Sequence, residues 1–131
     1  MSVAASMSGP DTYVLMSLDQ RRDGPATVVT VAGQIDIFTA PRLRDVLLEQ
    51  IALGHVHLVV DVEKVTFLDS AALAVLIGAW WRVRDHGGHL SLAGAPGTIR
   101  KIFHVTCLTH DFALYDTTGE ALRACRTATG S

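Results

Sequence analysis

Asp69 and Ser70 stand where an apolar strand gives way to an apolar helix, and their side chains are the ones in this sequence best placed to do chemistry. Residues 57–62 (His-Leu-Val-Val-Asp-Val) read as a buried strand, and residues 71–81 are apolar without a break except Gly78, long enough for a helix. A hydroxyl at such a junction has two uses. It can cap the helix, accepting from the unpaired first-turn N–H groups. It can also be a regulatory hydroxyl, since a phosphate added there meets N–H donors and the positive end of the helix dipole. Nucleophilic catalysis is poorly served: no base is placed beside Ser70, the charge of Asp69 opposes a developing oxyanion, and the Gly-x-Ser-x-Gly elbow is missing. The sequence offers no catalytic residue.

At about 100° per residue, Trp81 returns to within roughly 20° of the face that carries Ser70. The same wheel puts Ala72, Leu73, Leu76, Ala79, Trp80 and Val83 on the core face, and Ala74, Gly78, Arg82, Arg84 and Asp85 on the outer one with Ser70 and Trp81. A large aromatic among small and charged residues suits a partner surface, where buried aromatics are common anchors, or lies folded over its neighbours.

The remaining constellations are weaker. Of the six histidines, His55 and His57 would share a strand face, and His86 and His89 flank Gly87-Gly88. Neither pair has a third ligand at zinc-like spacing, so no metal is expected. The stretch Ala93-Gly94-Ala95-Pro96-Gly97 is turn chemistry without the lysine of a phosphate-binding loop. No cofactor is expected. Basic residues are scattered and not interleaved with aromatics, which argues against a nucleic-acid partner. No apolar run reaches the roughly 18 residues of a membrane span, because Arg82 ends the only candidate.

The residues Val65-Thr66-Phe67-Leu68-Asp69-Ser70-Ala71-Ala72-Leu73 resemble the phosphorylation-site motif of the bacterial anti-sigma factor antagonists, small proteins built on the STAS domain. Gly33-Gln34-Ile35-Asp36 is similar to that family's Gly-Glu-Leu-Asp turn. The spacing of Ile102-Phe103, Leu108, Phe112, Tyr115 and Glu120-Ala121-Leu122 follows its C-terminal pattern, so the likeness covers about residues 13–125. Ala71 replaces the usual Ser or Thr, Ala72 the Gly, and Gln34 the Glu. The resemblance implies an α/β, STAS-like sandwich with a mixed sheet of four to five strands and about four helices. It further implies a non-enzymatic protein that binds an anti-sigma factor, itself a serine kinase, and so releases a sigma factor in a stress or developmental response. Phosphorylation of Ser70 would switch binding off, and a PP2C-type phosphatase would restore it. Asp36, Asp69, Ser70, Ala71, Ala74, Gly78 and Trp81 are the expected partner contacts. The alternative is a non-phosphorylated scaffold or ligand-sensing module, in which Ser70 is only a cap.

These residues need elements to hold them. Residues 13–18 and 27–32 read as strands joined across the turn-rich 19–25, with Gly33 closing the second. Thr39 opens a helix that buries Leu43, Val46, Leu47 and Ile51, tolerates Pro41 in its first turn and stops at Gly54. After the Ser70 helix, which ends at His86, come a strand over 89–93, a helix from Pro96 to about 105, a strand over 112–115 and a last helix over 118–124. Strands alternating with helices after a hairpin imply one α/β domain with crossovers of a single hand. With 131 residues, 49% of them hydrophobic, and net charge −2, one core is the expectation. Residues 1–10 and 126–131 are expected as disordered tails around a domain spanning 11–125. The first ten lack the basic start and apolar core of a secretory signal, and two cysteines suit a reduced cytoplasm, with Cys107 in the core.

Overall fold

The computed structural model describes residues 16–108 and 112–128. Its elements run β1 (Met16–Asp23), β2 (Ala26–Ile35), α1 (Ala40–Ala52), β3 (His57–Leu68), α2 (Ser70–Asp85), β4 (His89–Ala93), α3 (Gly97–Val105), β5 (Ala113–Tyr115) and α4 (Thr118–Ala128). The five strands form one mixed sheet in the order β1-β2-β3-β4-β5. Only β1 and β2 are antiparallel. The α/β sandwich expected from the sequence is the observed fold.

Three successive crossovers step the chain across the sheet in one direction, and α1, α2 and α3 pack on one face, as crossovers of one hand require. Alternation along the strands then builds two cores. Val29, Leu58, Val60 and Leu92 meet Leu43, Leu47, Leu76 and Phe103 on the helical face, while Val28, Val59 and Ala93 meet Ala121, Leu122 and Cys125 of α4 on the other. Ala72, Leu76, Ala79 and Val83 of α2 are buried, with Leu73 and Trp80 half-buried against them, as the helical wheel predicts.

The boundaries differ where polarity misled. Residues 19–23, expected in a turn, continue β1, because an edge strand whose outer face meets solvent needs no apolar alternation. The hairpin turn is only Gly24-Pro25, with Gly24 at φ 59°. The expected strand over 13–15 lies outside the described residues, as do residues 1–10. Gly33 does not end β2: it takes φ 99° beside an irregularity in the β2–β3 register, and the strand runs on to Ile35. β3 likewise runs six residues past 62, to Leu68, through the exposed pair Glu63-Lys64. At the C-terminus α4 continues through residues 126–128, which the sequence assigned to a tail.

Cys107 is exposed, not in the core. It follows the last turn of α3 with φ 62°, the left-handed position usually given to Gly after a helix, and its N–H donates to the His104 carbonyl at 3.1 Å. Cys125 is buried. The two histidine pairs also resolve differently. His55 precedes β3, and its Nδ1 lies 2.8 Å from Gln50 Oε1; His57 pairs instead with His89 across β3 and β4, rings stacked and Nδ1 atoms 3.1 Å apart.

Candidate interaction site around Ser70

Asp69 follows the last residue of β3 in an extended conformation and is the N-cap of α2. One of its carboxylate oxygens, Oδ1, accepts from the N–H groups of Ala71 at 2.9 Å and Ala72 at 3.3 Å. The cap is therefore Asp69, and Ser70 is the first helical residue, exposed, with a hydroxyl not spent on capping. The Leu73 N–H donates to the Asp69 carbonyl at 3.1 Å. A phosphoryl group on Ser70 would meet a first turn whose donors are already largely engaged, and beside it a carboxylate. The helix dipole would still favour it, but little of its charge would be absorbed by N–H donors.

Asp36 stands at the neighbouring strand end. The pairs Gln34–Phe67 and Ile35–Leu68 set the ends of β2 and β3 side by side, and the Asp69 N–H donates to the Ile35 carbonyl at 3.2 Å. The Asp36 carboxylate accepts from the N–H groups of Phe38 at 2.9 Å and Thr39 at 3.0 Å, and the Asp36 N–H donates to the Thr39 hydroxyl at 2.9 Å. These bonds, the Thr39 N–H foremost, hold the Asp36 carboxyl below its ordinary pKa. Thr39 opens α1 as expected, but its hydroxyl serves this turn and the Gln34 carbonyl instead of capping the helix.

The turn pushes two large apolar side chains outward. Ile37 is 66% exposed and Phe38 82%, and Phe67 of β3, 48% exposed, lies on the adjoining strand end. Ile37 and Phe38 belong to no motif of the sequence, and Phe67 enters only as one residue of the stretch around Ser70. The available signal was position: two large apolar residues between a strand end and a helix cap have too few residues to fold back into the core.

Ala74 and Gly78 are exposed further along α2 and line a groove against Arg44, Leu47 and Leu48 of α1. Ala71 is half-buried and packs on the main core. Trp81 is 55% exposed on the same stripe, but eleven residues of helix set it about 16 Å along the axis from Ser70. It meets Trp80 edge-on, and the Arg84 guanidinium lies 5.4 Å from its ring. Asp36, Asp69 and Ser70 thus form one cluster, Ala74 and Gly78 a groove beside it, and Trp81 a separate point. Among the described residues no group of three or more His, Cys, Asp or Glu is arranged to hold a metal ion, and no helix is long and apolar enough to cross a membrane.

Residues 17–121 match the family model described as the STAS domain. The anti-sigma-B factor antagonist of Listeria monocytogenes is 31% identical over 102 residues, covering 77% of this chain and 89% of that protein. The crystal structure of an anti-sigma factor antagonist from Mycobacterium paratuberculosis superposes with a TM-score of 0.78 at 31% identity, over 92% of this chain and 99% of that one. The Bacillus cell fate determinant SpoIIAA in its phosphorylated form shares the fold, with a TM-score of 0.67 at 19% identity, over 82% and 98% of the two chains.

Proposed function

This chain belongs to the STAS domain family of anti-sigma factor antagonists, and we propose that it works there as a partner switch. Unmodified, it binds an anti-sigma factor serine kinase and so frees a sigma factor; phosphorylated on Ser70, it lets the kinase go. A PP2C-type phosphatase returns it to the binding form. The exchange takes place in the cytoplasm, and the chain itself catalyses nothing.

The observation that carries this reading is an exposed Ser70, whose hydroxyl makes no hydrogen bond among the described residues, on the same rim as three exposed apolar side chains, Ile37, Phe38 and Phe67. Exposed large apolar side chains grouped at one end of a domain suit a protein contact. A kinase that docks on this rim has the acceptor hydroxyl within its footprint, and Asp36 and Ala74 extend that footprint along the turn and the groove. Phosphorylation adds about −1.5 to −2 charges next to Asp69, in the middle of an apolar contact. Because the Asp69 carboxylate occupies two first-turn donors, the added charge faces the partner. Binding is lost while the fold stays intact.

The test is pull-down and calorimetry with the anti-sigma factor kinase of the same organism. Ser70→Ala is expected to bind without regard to ATP, Ser70→Asp to lose binding, and Phe38→Ala to weaken it by about tenfold or more with an unchanged melting curve. Equal binding by the two Ser70 variants overturns the reading.

A further inference from the structure

At the far end of α2 from Ser70 a cavity of about 450 Å³ opens beside β4. β5 pairs only with Ser91–Ala93, so among the described residues the first part of β4, His89 and Leu90, has no strand on that side. Trp80 and Arg84 of α2 form one wall, and Ala121, Ala124, Cys125 and Ala128 of α4 the other.

Three features of the lining point to a ligand. Ser91, 6% exposed, lines the cavity, and its hydroxyl has no hydrogen-bond partner among the described residues. Buried hydroxyls without a partner are rare in folded proteins, and a rotation about the Ser91 side-chain bond is what would bring this one to a bound molecule. Arg84 is the one charged side chain in the lining, with His89 beside it, and among the described residues no carboxylate lines the cavity. Arg84 lies over the Trp80 ring at 4.5 Å and makes no ion pair among the described residues. The α4 wall, finally, is built of three alanines and Cys125, which leaves apolar room and puts no large side chain in it.

We propose that this cavity binds a small organic anion with an apolar body, a medium-chain or aryl carboxylate. Its carboxylate accepts from the Arg84 guanidinium and the Ser91 hydroxyl, and its body lies along the alanines of α4. The site is independent of the Ser70 rim, so kinase binding and ligand binding can each fail without the other.

Octanoate is the probe, titrated into the full chain at neutral pH with octanol as the uncharged control. Trp80 fluorescence and backbone amide shifts are the readouts. The expected result is a saturable change, with shifts confined to Ser91, the end of α2 and α4, and binding about tenfold or more weaker for octanol and for Arg84→Gln. Ala124→Leu fills the space and is expected to abolish binding while Ser70→Ala leaves it unchanged. Should Ala124→Leu fail to fold, Ala128→Leu in the exposed last turn replaces it. A linear, non-saturating response, equal affinity for octanol, or undiminished binding in the filled variant overturns the proposal.

Discussion

Asp69 performs the capping that local pattern would equally have allowed Ser70, and this division of labour frees the hydroxyl. Its side chain satisfies two of the N–H groups that a helix start leaves unpaired. Asp69→Ala is expected to cost about 1 kcal/mol in denaturant unfolding, and Asp69→Asn, which keeps the acceptor oxygen, only a few tenths. Asp36 plays the matching part at the other strand end. Its lowered pKa means that the folded chain holds the ionised form more tightly than the unfolded one, so this contribution is complete above the ordinary carboxylate range and fades as pH falls through the lowered value.

At the scale of elements, a glycine within α2 and another in the α2–β4 connection make opposite demands. A Cβ on Gly88 would run into the Val56 carbonyl oxygen, the same oxygen that accepts the His89 N–H and starts the β3–β4 pairing. Gly88→Ala is therefore expected to destabilise by about 1–3 kcal/mol, read as a lower denaturant midpoint at unchanged slope. Gly78 sits on the exposed face of α2 with nothing within 4 Å of the position a Cβ would take. Gly78→Ala should stabilise the chain by about 0.5–1 kcal/mol, since alanine loses less backbone freedom in a helix. The same variant reports on the groove: if the kinase packs against α2 there, it binds more weakly even as the domain melts higher.

For the molecule as a whole, a stacked histidine pair ties stability to pH. Burial, then neighbouring His89 and Arg22, lowers the pKa of His57 from its ordinary 6.5. The folded chain thus takes up a proton less readily than the unfolded one. Stability is complete above about pH 6.5 and declines as pH falls from there toward the lowered value. In His57→Gln that part of the decline should disappear from melting temperatures measured across mildly acidic buffers. An unchanged profile would show that the pair does not couple protonation to folding.

The sequence by itself determined the order of elements, the face of α2 that is buried, the place of Ser70 at the start of a helix, and membership of a family whose motif surrounds that serine. All of these rest on local signals: alternation in strands, a period of 3.6 in helices, and the residues that start and stop them. What it could not determine was contact between distant segments. Polar residues 19–23 became strand because β2 supplies a partner for one edge, and solvent accepts the other side. Cys107 left the core because the exit from α3 needed a left-handed residue. The outward turn of Ile37 and Phe38, the meeting of His57 with His89, and the cavity that leaves Ser91 unpaired all depend on which strand ends lie side by side and how far β5 reaches along β4. Sheet order and strand length decide such neighbours, because side chains that touch across a sheet are set by register and not by proximity along the chain.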